Sequence, residues 1–209
     1  MTAYVLNQYG ADIRREDDHT YLIRGGTAFH ATETEVEGDW SNAAVFHAMN
    51  RMGHEITVTG TNTDSLQGDK NCLSYLELLG KEGTAIDLSD TPDLGPVLFA
   101  AAAAGPGGTF AGTRRLAFKE SNRAQVMITE LSKFGIRGTV DENSVTIFPG
   151  TIRKPETLLD GHGDHRIVMA LTALCSLTGG TITGVEAVNK SFPMFFDIMQ
   201  RLGMQIDFQ

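Results

Sequence analysis

The run Asp164-His165-Arg166-Ile167-Val168-Met169-Ala170-Leu171-Thr172-Ala173-Leu174, carried on into Gly179-Gly180-Thr181-Ile182-Thr183, decides the fold because two earlier stretches repeat its plan. One is Asp39-Trp40-Ser41-Asn42-Ala43-Ala44-Val45-Phe46, leading to Glu55-Ile56-Thr57-Val58-Thr59. The other is Pro92-Asp93-Leu94-Gly95-Pro96 through Ala100–Ala104, leading to Gly107-Gly108-Thr109-Phe110. Each reads as a helix of small and apolar residues, a glycine stop, then a short strand. Helices this apolar on every side, above all at Ala100–Ala104 and Leu171–Leu174, belong inside, with the sheets outside them.

A second helix follows in each unit. The stripes are Cys72/Leu73/Leu76/Leu79 before Gly80, Met127/Leu131/Phe134 before Gly135, and Phe195/Ile198/Met199/Leu202 before Gly203. Their spacing is helical and each ends at a C-terminal glycine. A hairpin comes next: Gly138-Thr139-Val140, a turn at Asp141-Glu142-Asn143, then Val145-Thr146-Ile147. The fold class is therefore α/β, a β-α-β-α-β-β unit recurring at roughly 55–70 residues.

The N-terminus begins inside such a unit. Tyr4, Val5, Tyr9 and Gly10 look like the end of a second helix, and Asp12–Arg14 with Tyr21–Ile23 form its hairpin around Glu16-Asp17-Asp18. Repeat arrays open on whole or capping units, so the expectation is a C-terminal part of something larger. Lys81-Glu82-Gly83 runs straight into Ala85-Ile86-Asp87-Leu88, which shortens the expected hairpin. Ser89-Asp90-Thr91-Pro92 breaks helix and strand alike, so a domain boundary or hinge is expected near residue 88.

Composition narrows the class. The 209 residues suffice for one large domain or two small ones, and 41% hydrophobic with 21% charged residues fits a globular protein. A net charge of −9 argues against a general nucleic-acid or membrane surface. No targeting segment or membrane span is visible, which points to a cytoplasmic enzyme. Cys72 and Cys175 lie in apolar helical patterns and read as reduced core thiols. The six histidines lack metal-ligand spacing, so no metal is expected. Gly105-Pro106-Gly107-Gly108 reads as a turn before a strand, without the lysine of a phosphate loop. Phe192, Phe195 and Phe196 follow a helical stripe and read as core, and His162 reads as loop.

Against that acidic background, Lys119-Glu120-Ser121-Asn122-Arg123 and Asp164-His165-Arg166 are local exceptions. Each precedes an amphipathic helix, whose first turn offers free N–H groups and partial positive charge to anions. Arginine adds planar, two-pronged pairing with carboxylate or phosphate. Glu120 and His165 add groups able to move protons. Asp164 reads as a helix N-cap, and so does Asp93 after Pro92.

Six motifs, in order along nearly the whole chain, resemble the C-terminal half of the EPSP synthase family. They are Glu37-Gly38-Asp39-Trp40-Ser41, Asp64-Ser65-Leu66-Gln67-Gly68-Asp69, Pro92-Asp93-Leu94, Lys119-Glu120-Ser121-Asn122-Arg123, Asp164-His165-Arg166 and Asn189-Lys190-Ser191-Phe192-Pro193. The resemblance implies the inside-out α/β barrel of enolpyruvyl transferases, truncated at its N-terminus. Residues 1–87 would be the C-terminal part of an upper domain and 88–209 most of a lower one. It implies carboxyvinyl transfer from phosphoenolpyruvate to the 5-hydroxyl of shikimate 3-phosphate, in aromatic amino-acid biosynthesis, without metal or cofactor.

On that resemblance Arg123 and Arg166 hold phosphoenolpyruvate, with Lys190 beside its phosphate. Asp93 contacts the shikimate hydroxyls as the candidate base, Glu120 serves proton transfer at the methylene carbon, and Lys119 contacts the hydroxyl. His165 either donates to the leaving phosphate or orients Arg166. Three departures from the family stand out. Asn42 and Val45, near the shikimate phosphate, fall where many members have serine and an aromatic or other residue, and Asn122 replaces the usual aspartate. Arg115 sits where some members bind the shikimate phosphate through asparagine. The family's catalytic lysine-serine segment is absent from this chain. The alternative reading is a non-catalytic anion-binding fragment, or a split-enzyme subunit needing an N-terminal partner.

Overall fold

The structure, a computed structural model, describes residues 1–81 and 85–208. In chain order the elements are α1 Thr2–Gln8, β1 Asp12–Arg15, β2 Tyr21–Arg24, α2 Trp40–Arg51, α3 Cys72–Leu78, β3 Ala85–Asp87, α4 Gly95–Ala103, β4 Gly108–Ala111, α5 Arg123–Lys133, β5 Gly138–Val140, β6 Ser144–Ile147, β7 Leu159–Asp160, α6 His165–Thr178, β8 Ile182–Thr183 and α7 Phe195–Arg201. The shortened connection expected across 82–84 lies outside the described residues.

Helices form the interior. Every residue of α4 is buried, and so are His165 through Cys175 of α6. Gly95, the first residue of α4, makes room for the buried Leu116: a Cβ there would lie 3.2 Å from Leu116 Cδ1. Phe99 of α4 meets Phe110 of β4 edge to face, with ring centroids 4.8 Å apart. Each such fully buried apolar side chain stabilises by about 1.5–3 kcal/mol. The sheets lie outside: β3-β4-β6-β5, with β3 parallel to β4 and the rest antiparallel, the β1-β2 ribbon, and the parallel pair β7-β8. The hairpin around Asp141–Asn143 forms in the expected register, with Thr139 opposite Thr146. Phe195 is fully buried and packs on Phe192 and Phe196, as the helical stripe implies.

One expectation fails. Glu55–Thr59 is not in a sheet. The side-chain amide of Asn50 replaces the ladder there: its Nδ2–H donates to the Ile56 C=O at 2.7 Å, and the Ile56 N–H donates to its Oδ1 at 2.7 Å. Asn7 clamps Ile13 in the same way at 2.8 and 2.9 Å, and Gln200 donates to the Ile206 C=O at 3.2 Å. A glycine of positive φ stands midway each time: Gly10, Gly53 and Gly203. The repeat thus extends to its backbone satisfaction.

Packing is continuous across residue 88. One hydrophobic core runs from Trp40 to Met199, and β3, just before residue 88, pairs with β4. The change in burial lies upstream: α1 and β2 bury no residue, whereas Trp40 is 1% exposed. No helix among the described residues is long and apolar enough to cross a membrane.

Candidate functional site

The site is assembled from the entrances to α4, α5 and α6 and from the segment before α7. Two of its cations arrive by one device used twice. A left-handed glycine after a strand, Gly112 or Gly184, starts a six-residue 3-10 turn, Thr113–Phe118 or Val185–Lys190. Lys119 follows the first turn and Lys190 ends the second. Gly112 has no substitute here: a Cβ would fall 2.2 Å from Ser89 Oγ.

Arg123 sits at the centre, 1% exposed. Its guanidinium makes four hydrogen bonds to three carboxylates. Nη1 donates to Asp93 Oδ1 at 2.7 Å, Nη2 to Glu120 Oε2 at 2.8 Å, and Nε and Nη2 to Asp164 at 2.8 and 3.2 Å. Asp164 also accepts from Ser121 Oγ at 3.0 Å and from the Arg166 backbone N–H at 2.9 Å. It is therefore the expected N-cap of α6 and, in addition, a fully buried counter-ion that the cap reading did not supply. Asp93 caps no helix, since α4 starts without a side-chain cap. Its carboxylate pairs instead with Arg123 and, at 2.9 Å, with Lys119. Lys190 pairs with Glu120. Asn122 caps α5 through the Gln125 N–H at 3.3 Å, so the position that departs from the family retains a local role.

Arg166 differs from Arg123. It is buried, its Nη1 donates to Asn42 Oδ1 at 3.1 Å, and its Nε has no partner among the described residues. Asn42 passes the link on, its Nδ2 donating to the Ser191 C=O at 3.2 Å, so both ends of its amide are engaged within the protein. His165 is 6% exposed with Nδ1 unpartnered among the described residues, and makes no described hydrogen bond to Arg166. Arg115 stands apart from this network: its Nη1 donates to the Ser89 C=O at 3.1 Å. Sequence reasoning passed over Asp69. Ser41 donates to its carboxylate, and burial raises its pKa, with Arg166 pulling the other way. The motif Asp64–Asp69 was the available signal, but nothing local showed that Asp69 would meet Ser41.

Electrostatics follow from this geometry. Burial works to raise the Asp93 carboxyl, but Lys119 and Arg123 together outweigh it and hold it at about 2. The hydrogen bond from Lys190, helped by Arg123, outweighs burial and holds Glu120 at about 2. Burial lowers the Arg123 pKa, yet Asp164 and Asp93 reverse that and raise it. Burial lowers the Arg166 and His165 pKa values, and for His165 the charge of Arg166 adds to it. Burial also pushes both thiols, Cys72 and Cys175, up to about 12, so neither is a nucleophile at neutral pH.

A pH prediction follows with its sign. Asp93 and Glu120 have folded-state values below their ordinary 3.8 and 4.5. Their stabilisation is present above those ordinary values and is lost as pH falls toward about 2. The denaturation midpoint should hold above pH ~5 and drop steeply below ~4. Asp93→Asn with Glu120→Gln should flatten part of that drop. An unaltered acid limb in the double variant would contradict the pairing.

Comparison with known proteins identifies the family and the fold. The family model for EPSP synthase (3-phosphoshikimate 1-carboxyvinyltransferase) matches residues 1–84 and 74–199. The 3-phosphoshikimate 1-carboxyvinyltransferase of Methanoculleus marisnigri is 34% identical, covering 98% of this chain and 53% of that protein. That of Clostridium kluyveri is 33% identical over 99% of this chain and 53% of its own length. An EPSP synthase structure from Acinetobacter baumannii superposes with a TM-score of 0.84 at 24% identity, covering 99% of this chain and 55% of that one. The enolpyruvyl transferase NikO of Streptomyces tendae gives 0.65 at 18%, over 98% and 52%. These two share the α/β fold. The chain spans about half the length of the curated relatives it matches. On the family match and on relatives above 30% identity across almost all of its length, the chain belongs to the EPSP synthase (3-phosphoshikimate 1-carboxyvinyltransferase) family.

Proposed function

We propose that this chain supplies the C-terminal half of a site that transfers the carboxyvinyl group of phosphoenolpyruvate to the 5-hydroxyl of shikimate 3-phosphate, releasing phosphate. The observation that carries the reading is the joining of Lys119, Lys190, Asp93 and Glu120 through Arg123 to the buried Asp164, which also caps the helix that starts with Arg166. The reaction removes a proton from a hydroxyl, adds one to the methylene carbon, and later takes that proton back as phosphate leaves. It needs anion-holding groups beside carboxylates able to trade protons.

In this reading Arg166 holds the substrate anion with its free donors, and Lys190 turns from Glu120 to the phosphate. Glu120, released from Lys190, regains a pKa suited to protonating the methylene carbon. Asp93, beside Lys119, takes the hydroxyl proton. Arg123 keeps these carboxylates in place, and His165, whose neutral imidazole keeps one ring N–H, donates a hydrogen bond to the departing phosphate. Asn42 fixes Arg166 rather than touching substrate, and Arg115 reaches the second substrate from the rim. We place the division between the two domains in the exposed stretch before Trp40, where burial changes. A polypeptide equivalent to the other half of the relatives completes the site. No metal or cofactor takes part in these steps.

Phosphate release from the two substrates tests this reading. Turnover is expected when the chain is mixed with the N-terminal half of the Methanoculleus marisnigri relative, and none from the chain alone. Turnover by the isolated chain would overturn the division of labour. Failure of the mixture, with phosphoenolpyruvate binding intact, would favour a binding fragment without catalysis.

A further inference from the structure

Glu130 lies on α5, two helical turns beyond Arg123 and on the same face. It is 1% exposed, as buried as Arg123 itself. A buried carboxylate is costly unless its charge and lone pairs are met, and here they are met by Lys133, one turn on along the same helix, and by a distant segment. Lys133 Nζ donates to both carboxylate oxygens at 2.8 Å and to the Leu158 C=O at 2.9 Å. The Asp160 N–H donates to Glu130 Oε2 at 3.1 Å, and His162 Nε2 lies 3.1 Å from Oε1.

The segment so held is unusual. His162, with φ of 52°, is the one non-glycine residue of positive φ among the described residues. That conformation disfavours side chains with a Cβ and persists only where the surroundings impose it. The His162 N–H is tied to Asp160 Oδ1 at 2.7 Å, and two residues later the Asp164 N–H donates to the Gly161 C=O at 2.9 Å. Asp164 then receives Arg123 and starts α6. One face of α5 therefore grips the 158–164 segment twice, through a buried cation at Arg123 and a buried anion at Glu130.

We propose that Glu130, with Lys133 and His162, is a positioning residue of the anion site: it sets the path of residues 158–163 so that Asp164 meets Arg123 and presents Arg166 at the start of α6. This rests on the proposed binding of phosphoenolpyruvate by Arg166, and it assigns a role to three residues that touch no substrate. His162, which reads as plain loop in the sequence, becomes part of the anchor.

The test uses the whole chain and two readouts. One is the Nε–H resonance of Arg123 in nitrogen–proton correlation spectra, which senses its bond to Asp164. The other is phosphoenolpyruvate affinity by calorimetry. Glu130→Gln should shift or broaden the Arg123 signal and weaken binding about tenfold. His162→Gly, which accepts the positive φ but loses the imidazole contact, should do the same to a smaller degree. Val145→Ala, a core truncation remote from this segment, should lower stability and leave both readouts alone. If Glu130→Gln does not fold, Lys133→Met supplies the same readouts. An unmoved Arg123 signal overturns the proposal, and so does a moved signal with unchanged affinity. If the unsubstituted chain binds no phosphoenolpyruvate, the functional reading fails, and the Arg123 signal alone still decides whether Glu130 sets Asp164.

Discussion

Arg123→Met is expected to destabilise the fold by about 3–5 kcal/mol, the cost of breaking a buried ion pair from one side. The size follows from what would remain. Asp164 would be fully buried with its charge unmet apart from Ser121 and the Arg166 N–H. Asp93 and Glu120, each partly exposed, would keep Lys119 and Lys190 and suffer less. At roughly 2–4 °C per kcal/mol for a chain of this size, the melting temperature should fall on the order of 10 °C. Chemical denaturation monitored by circular dichroism would measure it. A loss below about 1 kcal/mol, the range of exposed ion pairs, would show that the three carboxylates do not depend on Arg123. Arg123→Met combined with Asp164→Leu should recover part of the loss, because the unpaired charge goes with it.

Arg166→Ala should do the reverse, sparing stability and weakening binding. Its Nε has no partner among the described residues and burial disfavours its charge, so the fold gains little from it. As the proposed holder of phosphoenolpyruvate it makes charge-assisted, two-pronged hydrogen bonds of about 3 kcal/mol, so affinity should drop about 100-fold. Arg166→Lys should recover only part, since a point charge lacks the planar fork. Calorimetric titration with phosphoenolpyruvate settles the matter, and undiminished affinity in Arg166→Ala would refute the assignment. The two arginines look alike in the sequence, each at a helix start with an acid two or three residues before it. The structure separates them by whether their donors are already spent.

That separation marks how far the sequence could be read. The helices, their glycine stops and the Gly138–Ile147 hairpin follow from periodicity and turn chemistry, which are local. The presence of a cation-rich site at Lys119–Arg123 and Asp164–Arg166 follows from residue type. What stayed hidden depends on distance in space. Nothing near Glu130 announces residues 158–162 as its partners, and nothing near Asp93 distinguishes a cap from a counter-ion. Glu55–Thr59 has the alternation of a strand, yet whether a strand forms depends on a neighbour with free backbone, and the Asn50 amide takes that place.

The placement of Arg123 has a consequence for how this chain can change over time. Functional sites are commonly weak points, where removing a polar group relaxes strain and the fold gains what activity loses. Here the groups assigned to chemistry are also the ones that satisfy one another's charge in the interior. A substitution at Arg123 or Asp164 would therefore be eliminated by loss of the folded chain before its effect on turnover could matter. Persistence of these residues in a descendant that had abandoned catalysis would be expected on folding grounds alone. Arg166, whose donors serve nothing internal beyond Asn42, is the position where drift would first reveal such a loss.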